Sequence, residues 1–453
     1  MSRTLTDGTA VPGAARDDGA ATKRKAALVV ALLFCFMVVN FADKVVIGLA
    51  GVDLIRELDL TKEQFGLVQS SFYWLLALGA VLGGMLIGRI KARYLLAATA
   101  ALWVVSLAPM VGSVSFGLLI ACRVLLGFAE GPATAMATAV THSWYAPDKR
   151  AIPTSIVVAG AGVGPLLAAP ALTWVMQRYD WHAAFTVLLV VGIAWVIAWL
   201  FAGGEGPVGT GRAQRAAGPA LPDSLPYRAV LGTGTVVGLL VLFFTTYWSV
   251  AVKVTWLPLY LREGLGYGAG ETGTLVALPY AAAAVFQVLV GVASAMLSRR
   301  GATSRTARTL FASALAAVGG LSTVAFSLLD GGTVQILLIV VGASLTSAGY
   351  GIAFAAVSDV VPARQRGGAM GVIVAVYSLG GIIAPLVLGG LVDSAATPGE
   401  GYAQGFLLIG VLVIVGAAVC AALADPERDA RKLSAMSGAG PEPSPEPSRQ
   451  SDD

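Results

Sequence analysis

Twelve runs of about twenty apolar residues follow one another along the 453-residue chain, at roughly 26–50, 64–88, 94–111, 116–144, 151–177, 182–202, 231–261, 273–297, 307–328, 334–357, 367–392 and 403–424. A run of that length matches the ~30 Å hydrocarbon core when wound as a helix. Inside lipid the backbone must satisfy its own hydrogen bonds, so the segments are expected to be helices. The remainder of the chain offers no soluble alternative. Only 12% of residues are charged and mean hydropathy is +0.78, against about 25% charged in a soluble domain. The expected fold is an all-α membrane protein of twelve transmembrane helices, made of two six-helix halves.

Charge placement supports the count independently. With the N-terminus cytoplasmic, 23 of the 30 Lys and Arg fall in cytoplasmic segments. Four fall outside (Arg56, Lys62, Arg178, Arg262), and Lys44, Arg123 and Lys253 lie within spans. Such a positive-inside bias would collapse if one span were missed or invented. Both termini are therefore expected in the cytoplasm of a multi-pass protein of the cell membrane. Residues 1–25 read as a polar cytoplasmic tail that is retained, because the apolar run after Lys23-Arg24-Lys25 is too long for a signal-peptide core. Residues 26–202 form the first half and residues 203–230, rich in Gly, Pro and Arg, a cytoplasmic linker. Residues 231–424 form the second half, and 425–453, ending PEPSPEPSRQSDD, a disordered tail by composition.

The halves echo each other. Pro147, Arg150 and Pro170 follow the fourth span as Pro362, Arg366 and Pro385 follow the tenth, with Arg-to-Pro separations of 20 and 19 residues. Paired six-helix units with a site between them are a transporter architecture.

The fourth run, Phe116 to Trp144, carries two opposite charges. Arg123 and Glu130 stand seven positions apart, about two turns and ~10 Å along a helix, and project from nearly one face. A charge at bilayer depth costs on the order of 2.5–3.5 kcal/mol on insertion scales, so that face should look into protein or water. Asp43 and Lys44 on the first run complete a quartet. One reading is a pair of self-neutralising ion pairs that lock helices. The functional one assigns Arg123 and Lys44 to an anionic substrate and Glu130 and Asp43 to protons. Lys253 lies too deep in the seventh run to snorkel easily. Tyr247, Trp248 and Trp256 are candidate walls of the second half, and Ser378 a candidate hydrogen-bonder. Asp359 reads as a solvated partner of basic loops and His182 as a surface residue. Cys35, Cys122 and Cys420 have neither metal-ligand spacing nor disulfide logic, and no nucleophile–base pair, phosphate loop or metal motif occurs. An enzyme, a metal centre, a cofactor and a nucleic-acid partner are not expected.

Several motifs in order resemble the major facilitator superfamily over residues 30–424, and within it the anion:cation symporters of sugar acids and other organic carboxylates. Arg123-Val-Leu-Leu-Gly127-Phe-Ala-Glu130-Gly131 is similar to R-x-x-x-G-x-x-E-G. Trp144-Tyr-Ala-Pro147-Asp-Lys-Arg150, Pro170 and Trp181-His-Ala-Ala-Phe185 resemble the W-x-P-x-x-x-R, P and W-R-x-x-F that follow. Asn40-Phe-Ala-Asp43-Lys44 and Trp256-Leu-Pro258-Leu-Tyr260 look like the first- and seventh-span signatures. The gating loop motif G-x-x-x-D-R-x-G-R-R stands here as Gly84-Met-Leu-Ile-Gly88-Arg89-Ile-Lys91-Ala-Arg93, with Gly88 for its Asp. Its second-half counterpart has Ala295, which implies a weakened latch. Lys44 replaces an Arg, giving up a bidentate fork, and Ala161 and Leu76 stand where relatives carry a Gln and a Tyr, hinting at a less hydroxylated anion. The resemblance implies a monomeric proton-coupled symporter of a small organic carboxylate, working by alternating access. Gly160-Ala-Gly-Val-Gly164-Pro165 resembles part of an antiporter signature and makes a proton-coupled exporter the runner-up. A transport-inactive sensor is a distant third.

Overall fold

Each apolar run becomes a helix because no other backbone arrangement leaves a lipid-facing segment satisfied. The computed structural model describes residues 14–87, 89–146, 149–207, 225–362 and 365–436. It contains twelve helices long and apolar enough to span a bilayer. They are α1 (Ala14–Leu49, with its apolar part from Thr22), α2 (Lys62–Leu86), α3 (Ala92–Val111), α4 (Phe116–Trp144), α5 (Ile152–Arg178) and α6 (Trp181–Ala202). The second six are α7 (Gly234–Thr255), α8 (Ala269–Arg299), α9 (Arg305–Ser327), α10 (Thr333–Val360), α11 (Arg366–Ser394) and α12 (Pro398–Leu423).

In the first bundle α1 packs on α5 and α6, and α3 and α4 pack on each other. In the second, α9 packs on α12 and α10, and α7 on α11 and α12. The bundles meet along α2 with α11, α5 with α8, and α1 with α7. The expected echo is physical at one place. Arg150 donates from Nε to the Tyr145 carbonyl (2.8 Å) and Arg366 from Nε to the Val361 carbonyl (3.2 Å), so each guanidinium caps the end of the preceding span.

An even number of spans puts both chain ends on one face, which also carries Arg89, Lys91, Arg93, Lys149, Arg299 and Arg300. We call it the basic face and its opposite the far face. At the far face the two bundles are tied together. Lys62 at the start of α2 pairs with Glu263 at 2.6 Å, and Tyr402 of α12 donates to the same carboxylate at 2.8 Å. Asp393 at the end of α11 accepts from the backbone N–H groups of Lys62 (3.0 Å) and Glu63 (2.7 Å), where the positive end of the α2 dipole favours an anion. Arg262 reaches Asp53 at 3.3 Å. His182, expected at the surface, stacks on Trp181 and approaches Glu57 at 3.5 Å within the first half.

Two tail boundaries differ from expectation. Helix α1 begins at Ala14, so the Lys23-Arg24-Lys25 cluster belongs to a helix, and residues 1–13 lie outside the described residues. Residues 426–436, expected in a disordered tail, form helix α13 (Pro426–Met436), while 437–453 lie outside the described residues. Composition hid the reason: α13 buries Pro426, Asp429 and Leu433 and uses its carboxylates to cap neighbours. Asp429 accepts from the Thr235 backbone N–H and hydroxyl, both at 2.7 Å, at the start of α7, and Glu427 accepts from the backbone of Ser304 and Arg305 at the start of α9. Most of the linker, residues 208–224, also lies outside the described residues.

Burial alone would push the Asp429 carboxyl up, but hydrogen bonds from Arg428 and Thr235 outweigh it and hold the group below its ordinary value. A depressed carboxyl contributes stability that is present above its unfolded value and is lost as pH falls through the folded one. Docking of α13 should therefore be constant from pH 5 to 8 and fail only below about pH 4. Asp429→Ala should cost about 1–3 kcal/mol at neutral pH, read as earlier proteolysis at residues 425–436. Equal protease resistance of the variant would refute the assignment. For the far-face ties, Lys62→Ala should open the far side. Spin labels across the α2–α11 contact should move apart in a fraction of molecules enlarged up to about fivefold, the scale of roughly 1 kcal/mol for one partly buried pair; an unchanged distance distribution would count against a latch.

Candidate functional site

The fourth-span pattern Arg123…Gly127…Glu130-Gly131 makes sense as a packing face first. A Cβ at Gly127 would lie 1.7 Å from the Phe72 carbonyl oxygen, so only glycine lets α4 come this close to α2. That approach brings Arg123 onto α2: its Nη2 donates to Gln69 Oε1 at 3.3 Å, and its guanidinium carbon lies 4.9 Å from the centre of the Phe72 ring. Two turns along, Glu130 meets α1. Lys44 Nζ sits 2.8 Å from its carboxylate, 3.8 Å from the Phe41 ring centre and 3.3 Å from Asn40 Oδ1. Asp43, fully buried, lies beside the Glu130 carboxyl and within electrostatic reach of Lys44 and Arg123, and neither of its oxygens meets a hydrogen-bond donor among the described residues. The four charges expected from the sequence are thus one cluster. The direct ion pair, however, runs between Lys44 and Glu130, with Arg123 held against α2.

Beside this cluster lies a cavity of about 1080 Å³ between the two bundles. Its roof, toward the far face, carries Lys44 and Glu130 from the first half and Lys253 from the second. Its mouth, toward the basic face, carries His142, Arg150, Thr154 and Gln287. The two lysines flank one helix crossing, since a Cβ at Gly48 would meet the Val254 carbonyl oxygen at 2.5 Å. Lys253 is 6% exposed, donates to the Ala343 carbonyl at 3.1 Å and lies 4.9 Å from the Tyr280 ring centre. It has no carboxylate within ion-pair distance among the described residues.

Of the other residues named from the sequence, Tyr247 lines the cavity. Arg123 and Asp43 stand behind its wall, and Trp248 and Ser378 are buried away from it. Ser378 donates its hydroxyl to the Val374 carbonyl at 2.7 Å, the back-bond a helical serine makes when no other partner faces it. Trp248 is wedged between α7 and α11, against Phe244 and Gly380. Of the loop residues, Gly84 and Arg89 are exposed and Arg93 donates to the Leu200 carbonyl, inside the first half; Gly88 lies outside the described residues. Asp359 pairs with Arg308. Gly160 and Gly164 press on α1, where Cβ atoms would meet the carbonyls of Phe34 and Val38, which accounts for that motif by packing.

Cavity residues that the sequence reading passed over are His142, Gln287, Tyr280, Tyr350 and Tyr377. A signal was present for the first two. Glu130, Thr134 and His142 recur at multiples of four on α4, and Tyr280, Ala284 and Gln287 follow helical spacing on α8, each forming one stripe. The tyrosines carry no such signal, because an aromatic in a span is usually packing.

A family model described as Major Facilitator Superfamily matches residues 32–356 and 333–448. The chain belongs to the Major Facilitator Superfamily. It is a transporter of that superfamily and not an enzyme. Among its curated relatives, the hexuronate transporter of Bacillus subtilis is 25% identical over 85% of this chain and 92% of its own length. The D-galactonate transporter of Escherichia coli is 25% identical over 87% and 94%. The probable sulfoacetate transporter SauU of Cupriavidus necator is 27% identical over 85% and 91%. Among solved structures, a bacterial homolog of the human lysosomal transporter Spinster, inward-facing and occupied, superposes with a TM-score of 0.73 at 18% identity, covering 88% of this chain and 97% of that one. The D-xylose-proton symporter gives 0.72 at 16% identity, covering 89% and 98%. At these identities the two structures speak for the fold alone.

Because Gly127 sets the α2–α4 distance, Gly127→Val should overpack the crossing, costing about 1–3 kcal/mol or more, and separate Arg123 from Gln69. Thermal unfolding of the purified variant in detergent measures this; an unchanged melting temperature would contradict the packing account.

Proposed function

We propose that this protein is a proton-coupled symporter that moves a small organic carboxylate across the cell membrane by alternating access. The observation that carries the reading is Lys253: an ammonium at membrane depth, facing a central cavity, with no carboxylate beside it among the described residues. A cation in that position is costly unless water or an anion attends it, and a substrate carboxylate supplies the missing charge. Lys44, across the α1–α7 crossing, brings a second ammonium from the other half. An anion held by both would bridge the two bundles, which is what a carrier needs in order to move them together. The relatives named for hexuronate, D-galactonate and sulfoacetate, all anions, support the same substrate charge.

Proton coupling falls to Glu130 and Asp43. Their carboxyls lie side by side, so a proton taken up by one is within reach of the other. A proton on Glu130 releases Lys44 from its 2.8 Å pair, and the freed ammonium turns to the anion. One proton entering with one monoanion leaves the net charge of the chamber the same, empty and loaded. Arg123, permanently charged, keeps the cluster from becoming net negative when both carboxyls are ionised. With the basic face cytoplasmic by the positive-inside rule, both termini are cytoplasmic and the cavity opens inward. The far-face ties hold the outer side shut and must break for the substrate to enter. One chain encloses the whole chamber, so a monomer suffices. The packing role of Gly160 and Gly164 leaves the exporter without a feature of its own.

In proteoliposomes with an imposed inward pH gradient, Glu130→Gln should abolish uphill accumulation of a transported anion while retaining exchange. Undiminished accumulation by that variant would remove Glu130 from the proton path.

A further inference from the structure

We infer that the carried anion is a carboxylate on a flat, apolar body, an aromatic acid rather than a polyhydroxylated sugar acid, with its carboxylate held by Lys253 and Tyr280. The inference rests on the transport reading above and sharpens it. An ammonium has three donors, and Lys253 uses one on the Ala343 carbonyl. Tyr280, over whose ring Lys253 lies, is 8% exposed, and its hydroxyl has no hydrogen-bond partner among the described residues. A buried hydroxyl without a partner on a cavity wall is a donor waiting for a ligand oxygen. Two donors of this kind, one charged and one neutral, converge on the same corner and fit one carboxylate.

The surroundings of that corner decide the rest of the molecule. One wall is aromatic. Tyr247 and Tyr377 lie 4.4 Å apart at 31°, with Tyr73 edge-on to Tyr247 at 5.8 Å. The opposite wall is small and smooth, with Ala161 and Gly162 of α5 facing Ala284 of α8, where a Cβ on Gly162 would lie 4.0 Å from that of Ala284. An aromatic ring stacks or meets edges on the first wall and slides along the second. Hydroxyl-bearing ligands fare worse, because the hydroxyls of Tyr350 and Ser347 are already engaged. Tyr350 is bonded to Thr246 at 3.1 Å, and Ser347 donates to the Ser344 carbonyl at 3.2 Å. Free polar groups such as Gln287 stand two turns lower on α8, about 10 Å toward the mouth. Each sugar hydroxyl brought out of water without a partner lowers affinity by about tenfold.

The test is calorimetric titration of the purified full-length protein in lipid nanodiscs with benzoate, galactonate and sulfoacetate. Benzoate should bind at least tenfold more tightly than galactonate. Tyr280→Phe, which changes no shape, should weaken benzoate about tenfold, and Lys253→Gln should abolish its binding. Galactonate binding as tightly as benzoate, or benzoate binding unmoved by Tyr280→Phe, overturns the aromatic assignment while leaving anion transport intact. Failure of all three anions to bind overturns the transport reading itself.

Discussion

The ion pair between Lys44 and Glu130 is the interaction on which the rest of the site depends. At bilayer depth neither group can be satisfied by solvent alone, so the two spans that carry them are held in register. Everything else in the cluster is arranged around that pair. Asp43 shares the Glu130 carboxyl's surroundings, Arg123 offsets both carboxyls from behind the Phe72 ring, and Gln69 takes up one of its donors. The cluster is neutral when all four groups are charged, which lets it sit in low dielectric. Adding or removing one proton unbalances it, and a mobile anion can restore the balance.

Close backbone approach makes this geometry possible. The α2–α4 contact through Gly127 sets Arg123 against Gln69, and the α1–α7 contact through Gly48 closes the crossing that Lys44 and Lys253 flank. Membrane helices lack a hydrophobic drive to associate, so such small-residue faces carry much of the packing. Gly127 is therefore part of the electrostatics: it moves Arg123 to where it finds Gln69. The second half repeats the pattern with less charge, keeping a single buried ammonium, Lys253, on the wall opposite Lys44.

The two faces differ in a way that fits a carrier caught on one side of its cycle. At the far face, carboxylates and cations from both bundles are paired across the join; at the basic face, the join widens into the cavity mouth. The loop motif that would fasten the basic side has glycine and alanine at its two acidic positions, and its Arg93 donates within its own half. Fewer ties between bundles on that side leave the open form with little to oppose it.

The twelve spans and the echo between the halves are legible in sequence alone, because hydropathy is a local quantity fixed by the length of a bilayer crossing. The quartet was legible for the same reason: four ionisable groups in apolar runs are conspicuous wherever they fall. Which of them pair was not. Distance along a helix put Arg123 and Glu130 on one face, but the partner of Glu130 comes from another helix, and helix crossings are set by packing across hundreds of residues. The same holds for Ser378, whose hydroxyl turned to its own backbone, and for Tyr280 and Tyr377, which look like ordinary packing until a cavity opens beside them. Helix α13 escaped notice because a short polar segment has no intrinsic reason to fold; contacts with the starts of α7 and α9 order it, and those exist only in the assembled bundle.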